Sequence, residues 1–141
     1  MNYWGLPIDQ GKMTLLELIE RPPTEAVAIS LPEDGLRLTY GELSIQVRRI
    51  AKQLSGVGIG RNDRVAIALG NGLPAVISIL AASVAGTAAP LNPGYRKEEF
   101  DFYLKDTDAK LLITGEEVGD AVLDLNNVPS GRSGVEFTEA G

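Results

Sequence analysis

The 141-residue sequence contains neither cysteine nor histidine. The missing thiol excludes disulfides, thiolate metal sites and cysteine nucleophiles. The missing imidazole excludes Ser-His-Asp triads and removes the commonest general base and metal ligand. Any metal site in this chain would therefore have to use oxygen ligands.

Positive charge is also scarce, because the formal net charge is -6. The only short basic cluster is formed by Arg48, Arg49 and Lys52. Nucleic-acid binding needs a basic face that neutralises phosphates, so we expect no nucleic-acid partner. Hydrophobic residues make up 44% of the chain and charged residues 23%, which is typical of a globular domain with a real core.

Long uninterrupted apolar runs are absent too. The longest apolar stretch, residues 73–93, is broken by Pro74, Gly86, Pro90 and several polar residues. We therefore predict no membrane span. Residues 1–11 show no basic segment followed by an apolar one, so they do not resemble a signal peptide, and a cytoplasmic location is the default expectation.

Helix and strand signals alternate along the chain. Capping boxes at Thr14–Glu17 and Thr39–Glu42 predict two helix starts. Helices are predicted from residue 14 to before Pro22, after Thr39, and over 75–85, 97–105 and 116–125; strands are predicted over 27–31, 37–39, 64–69, 87–91 and 111–114. This order indicates a layered α/β fold of βαβ units with a largely parallel sheet and an N-terminal hairpin at one edge. We assign residues 1–126 to this fold and residues 127–141 to a loop or frayed tail.

Apolar spacing predicts which helix faces are buried. The expected inward residues are Leu43, Val47, Ile50 and Leu54 in the second helix, and Phe100, Tyr103 and Leu104 in the helix over 97–105. The helix over 75–85 is apolar nearly all round and is predicted to be buried.

A glycine pattern between a predicted strand and a predicted helix, Gly70-x-Gly72-x-x-Ala75, is similar to a dinucleotide-binding fingerprint. Two features count against that interpretation. The ribose-binding acid expected about 20 residues further on is missing, since no acid appears until Glu98. Pro74 also removes a backbone donor from the helix start. An ordinary tight turn before a buried helix is the favoured interpretation.

Several blocks between Leu38 and Thr114 resemble the AMP-forming synthetase and ligase family, which includes acyl-CoA synthetases, firefly-type luciferases and adenylation domains of peptide synthetases. The matching blocks are Leu38-Thr-Tyr-Gly-Glu-Leu43, Gly58-Ile-Gly-Arg-Asn-Asp-Arg-Val-Ala66, Ile79-Leu-Ala-Ala-Ser-Val-Ala-Gly86, Ala89-Pro-Leu-Asn-Pro93 and Leu104-Lys-Asp-Thr-Asp-Ala-Lys-Leu-Leu-Ile113. The family often has Gly-Asp-Arg-Val where Asn62 here separates the glycine from Asp63. The loop around Tyr95 and Arg96 resembles the fatty-acyl and aryl-CoA ligase branch.

This resemblance implies a partial, N-terminal subdomain of the adenylate-forming enzyme fold. The parent reaction uses ATP, Mg²⁺ and CoA: a carboxylate forms an acyl-adenylate, and the CoA thiol then displaces AMP. The family's phosphate-binding loop, Thr-Ser-Gly-Thr-Thr-Gly-x-Pro-Lys, has no match in this sequence, and the catalytic lysine belongs to a C-terminal domain. We therefore expect no catalytic residue, no metal ligand and no resident cofactor here, and we expect the remainder of a synthetase as the partner.

One residue is a candidate ligand contact. In similar CoA ligases a basic residue near the loop over 92–96 contacts the nucleotide part of CoA, and Arg96 occupies that position. A solvated surface arginine is the competing interpretation. Two other functions stay open at this point: a self-associating interaction module that pairs through an exposed sheet edge, and a small dinucleotide-binding domain that uses residues 70–75.

Overall fold

The structure is a computed structural model, which describes residues 13–33 and 35–115. The helix predicted over 116–125, the boundary at residue 126 and the tail over 127–141 lie outside the described residues. The elements are α1 (Leu15–Glu20), β1 (Val27–Leu31), β2 (Leu36–Thr39), α2 (Tyr40–Gly56), β3 (Arg64–Ala68), α3 (Leu73–Ala85), β4 (Thr87–Pro90), α4 (Lys97–Asp106) and β5 (Leu111–Thr114). The chain divides into two compact units between Ser44 and Ile45, within α2.

The first unit contains α1 and an antiparallel hairpin of β1 and β2. The predicted capping box of α1 is present, because the Glu17 N–H donates to Thr14 Oγ1 at 3.2 Å and the Thr14 N–H donates to Glu17 Oε2 at 2.8 Å. The expected edge position of the hairpin is wrong: β1 and β2 form a two-stranded sheet of their own. A hairpin satisfies its facing backbone groups locally, so it does not require a place in the parallel sheet.

The second predicted capping box opens α2. The Glu42 N–H donates to Thr39 Oγ1 at 3.2 Å, and the Thr39 N–H donates to Glu42 Oε2 at 2.9 Å. The predicted apolar stripe of this helix is confirmed, because all four of its members are buried: Leu43, Val47, Ile50 and Leu54. The spacing of apolar residues in the sequence therefore determines which face of α2 is buried.

The second unit is built on a parallel sheet of three strands in the order β4-β3-β5. Val65, Ala66, Ile67 and Ala68 of the central strand are all buried, as expected for a strand covered on both faces. Alternation sends Ala66 and Ala68 to one face, where they pack with Phe100 of α4 and Leu112 of β5. The predicted βαβ unit and its parallel pairing are confirmed.

Helix α3 packs against β3 and β4 but is not buried all round. Its buried residues are Ile77, Ser78, Ala81 and Ala82, whereas Val76 keeps 39% of its surface exposed. The predicted complete burial is therefore wrong for the described residues, because one sheet can cover only one face of a helix. Over the same residues, no helix combines the length and hydropathy needed to cross a membrane.

Candidate functional site

The candidate loop, residues 92–96, follows the carboxyl end of β4. Pairing with β3 continues one residue past the strand, since the Leu91 N–H donates to the Ile67 carbonyl at 2.7 Å. Ligands of open parallel sheets bind at the carboxyl ends of the strands. The structure therefore places the loop at the carboxyl ends of the parallel strands.

Two hydrogen bonds that Asn92 accepts fix the backbone of this loop. Asn92 Oδ1 accepts from the Gly94 N–H at 2.9 Å, and the Asn92 carbonyl accepts from the Tyr95 N–H at 3.1 Å. Such an asparagine turn uses a short polar side chain as a substitute for a backbone carbonyl. The loop consequently has a defined shape before any ligand arrives.

Arg96 is the residue that caps the N-terminus of α4. Its backbone N–H donates to Glu99 Oε2 at 2.7 Å, and its carbonyl accepts from the Phe100 N–H at 3.0 Å. The side chain is exposed, and within residues 13–33 and 35–115 the guanidinium has no ion-pair partner. The backbone of Arg96 is thus fixed by the cap, while its side chain is exposed among the described residues.

An aromatic cluster holds the loop against α4. The rings of Tyr95 and Tyr103 stack with centroids 4.9 Å apart and an interplanar angle of 17°. Tyr95 also meets Phe100 edge to face at 5.9 Å. The hydrogen bond with Tyr103, followed by desolvation, raises the pKa of Tyr95 above its usual value of 10.0. The Tyr95 hydroxyl therefore remains protonated at physiological pH.

The Arg96 guanidinium is the group at this end of the sheet that could bind one phosphate. A guanidinium with free donors recognises phosphate oxygens through charge-assisted hydrogen bonds. Glu98 and Glu99 in the first turn of α4 interact favourably with the positive end of the helix dipole. Their negative charges repel an approaching anion. Arg96 can therefore contact a phosphate beside the helix, whereas the N-terminus of α4 is a poor anion site.

The block over 58–66 is tied together and to Lys110 by hydrogen bonds. Asp63 Oδ2 accepts from the Gly60 N–H at 2.7 Å and from Lys110 Nζ at 3.1 Å. The Gly60 N–H and then the Lys110 ammonium hold the pKa of Asp63 below its usual value of 3.8. Lys110 Nζ also donates to the Gly58 carbonyl at 2.9 Å, so this residue joins β5 to the turn before β3.

The glycine turn over 70–75 has the predicted strand–turn–helix context, because it joins β3 to α3. Gly72 has φ 154°, a conformation that favours glycine, and it precedes the first residue of α3. Pro74 lies in the first turn and supplies no N–H there. The loop after β4 contains no carboxylate, so the dinucleotide interpretation still lacks a ribose contact.

Comparison with known proteins identifies the class. The sequence model of the AMP-binding enzyme family matches residues 17–138, and the chain therefore belongs to that family. An oxalate–CoA ligase of Arabidopsis thaliana is 41% identical over 107 residues, which cover 73% of this chain and 20% of the relative. A dimodular nonribosomal peptide synthase of Bacillus subtilis is 31% identical over 103 residues, covering 72% of this chain and 4% of the relative.

Solved structures show the same fold. The N-terminal domain of FACL13 from Mycobacterium tuberculosis superposes with a TM-score of 0.71 at 24% identity, covering 80% of this chain and 29% of that one. ATP-bound MatB from Rhodopseudomonas palustris gives a TM-score of 0.71 at 24% identity, covering 79% of this chain and 23% of that one. This chain belongs to the AMP-binding enzyme family and shares the fold of the FACL13 N-terminal domain. It spans about a fifth of the length of the oxalate–CoA ligase that it matches.

Proposed function

We propose that this chain is the N-terminal scaffold of an ATP-dependent acyl-CoA ligase and that it does not form an acyl-adenylate by itself. The proposal is supported by the structural roles of the residues in the blocks that resemble the family. In the described residues, Thr39 caps a helix, Asp63 ties a turn to Lys110, and Gly86 allows close packing. These residues build a sheet and its turns, while the family's phosphate-binding loop pattern is absent from the sequence.

Pyrophosphate exchange tests this proposal directly. The purified 141-residue chain is incubated with ATP, Mg²⁺, labelled pyrophosphate and a panel of acids that includes oxalate and short and long fatty acids. We expect no incorporation of label into ATP above the rate of a heat-denatured sample. Acid-dependent exchange by the pure chain would contradict the proposal.

The second part of the proposal is that Arg96 contacts a phosphate in the nucleotide part of CoA. Its support is the exposed guanidinium on a rigid loop at the carboxyl edge of the sheet. CoA would supply the thiol that displaces AMP in the complete enzyme, and Arg96 would bind and orient its nucleotide. A charge-assisted contact of this kind corresponds to about a tenfold change in affinity.

Equilibrium titration of CoA into the chain measures this contact. We expect Arg96→Gln to weaken binding about tenfold. Arg61→Gln serves as the matched control, because Arg61 is also exposed and lies in the turn that precedes β3. This variant should bind CoA normally. Equal affinities for the wild-type chain and Arg96→Gln would rule out the contact, and a comparison with dephospho-CoA identifies the phosphate that is recognised.

Self-association through a sheet edge and a cytoplasmic location remain predictions. Among the described strands, β4 and β5 lie at the two edges of the parallel sheet, so each presents one side to a further strand. We expect the remainder of the synthetase to supply such strands, and sedimentation of the isolated chain would reveal pairing between copies.

A further inference from the structure

The loop over 92–96 is attached to α4 at two points. The spacing from Arg96 to Glu99 is that of a helix cap, and Glu99 accepts the Arg96 N–H at 2.7 Å. The other point is the parallel stack of Tyr95 on Tyr103. Tyr103 lies in the second turn of α4, so the stack connects the residue before Arg96 to a part of the helix beyond its cap.

We propose that Tyr103 is a positioning residue, which holds Tyr95 by ring stacking and thereby fixes the direction in which the neighbouring Arg96 presents its guanidinium. This inference rests on the proposed CoA contact. The role of Tyr103 is to restrain the loop over 92–96 from its place on α4. Tyr103 does not have to touch the ligand for this.

Two contacts of Tyr95, together with its covalent bond to Arg96, support this role. Tyr95 is half-buried and packs against the cluster of Phe100, Ala66 and Leu112, so one side of its ring is fixed by the core. Tyr103 covers the ring at 4.9 Å, which leaves Tyr95 little room to swing outward. Because Tyr95 and Arg96 are adjacent, displacement of Tyr95 would also move the backbone of Arg96.

The energetic scale suffices for a measurable effect. A stacked aromatic pair contributes enough to change an equilibrium about three- to tenfold beyond its area burial. The stack depends on the Tyr103 ring and not on its hydroxyl. A phenylalanine variant therefore tests the contribution of the ring by itself.

The test compares three variants of the full 141-residue chain. Tyr103→Leu removes the stack, and Tyr103→Phe keeps the ring but loses the hydroxyl. Phe102→Leu is the matched control, because Phe102 is 60% exposed on the same helix and meets Tyr103 only edge to face at 5.2 Å. Amide hydrogen exchange at Gly94 and Arg96 reports loop opening, since both N–H groups donate to loop or cap oxygens.

We expect Tyr103→Leu to speed exchange at these two amides and to weaken CoA binding, each about three- to tenfold. Tyr103→Phe should retain most of both properties, and Phe102→Leu should change neither. A purely structural role would spread faster exchange over the whole sheet, so amides of β3 are read in the same experiment. Uniformly faster exchange would overturn the proposal.

Other outcomes separate this inference from the proposed CoA contact. Unchanged exchange at Gly94 and Arg96 in Tyr103→Leu overturns the positioning role whatever happens to CoA. Faster loop exchange with unaltered CoA affinity, in a chain whose affinity does depend on Arg96, overturns the functional part of the role. If Arg96→Gln binds CoA normally, the proposed contact fails, and the exchange data alone decide whether Tyr103 fixes the loop.

Discussion

Gly86 lies where α3 ends and β4 begins, and we predict that it tolerates no side chain. A Cβ atom placed there would lie 2.7 Å from the Asp63 carbonyl oxygen, 2.8 Å from the Gly60 carbonyl oxygen and 2.9 Å from Ile59 Cγ2. All three distances are shorter than van der Waals contact. The substitution Gly86→Ala must therefore displace backbone atoms.

The two carbonyls cannot move freely. The Asp63 carbonyl accepts from the Thr87 N–H at 2.9 Å, and the Gly60 carbonyl accepts from the Asp63 N–H at 2.9 Å. A shift that relieves the clash would weaken one or both hydrogen bonds and disturb the first pair between β3 and β4. Overpacking of this kind costs about 1–3 kcal/mol of unfolding free energy. For a chain of 141 residues the corresponding fall in Tm is about 3–10 °C.

Thermal and urea unfolding followed by far-UV circular dichroism measures this loss. Gly56→Ala is the matched control, because a Cβ atom at Gly56, the last residue of α2, meets nothing within 4 Å. We expect that control to equal or slightly exceed the wild-type stability, since alanine is the better helix residue. Equal Tm values for Gly86→Ala and the wild-type chain would refute the packing argument.

Two further predictions concern the turns that the family blocks build. Thr39→Ala removes the oxygen that accepts the Glu42 N–H and should cost about 0.5–2 kcal/mol of unfolding free energy, whereas Thr39→Ser should retain most of it; urea unfolding distinguishes them. The lowered pKa of Asp63 means that its charged form stabilises the fold above the usual value of 3.8, and that this stabilisation is lost as pH falls through the folded-state pKa. Asp63→Asn should therefore flatten the acid limb of the stability profile. NMR titration of the Asp63 carboxyl should show its pKa rising in Lys110→Met, and an unchanged pKa there would exclude the ion pair with Lys110 as a cause.

Local sequence signals predicted the elements well because their determinants are close in the chain. The two capping boxes and the bounds of β1 and β5 depend on residues within one turn or one strand, and the structure confirms them. The stripe of α2 was also readable, since helical periodicity marks the buried face without knowledge of the partner.

Contacts between distant residues were not readable in the same way. The stack of Tyr95 on Tyr103 requires the loop to turn back along α4, and the ion pair of Asp63 with Lys110 joins residues 47 positions apart. The half-exposed face of α3 also escaped prediction, because apolar composition does not reveal how many layers cover a helix.

The sequence by itself determined the family, the order of strands and helices, and the position of Arg96 after the fourth strand, because these follow from short motifs and local periodicity. Only the tertiary structure decided that the hairpin forms its own sheet, that Gly86 lies against two hydrogen-bonded carbonyls, and that Tyr103 stacks on Tyr95 next to Arg96. Those features depend on which chain segments approach one another, and proximity in space is set by the packing of the whole sheet.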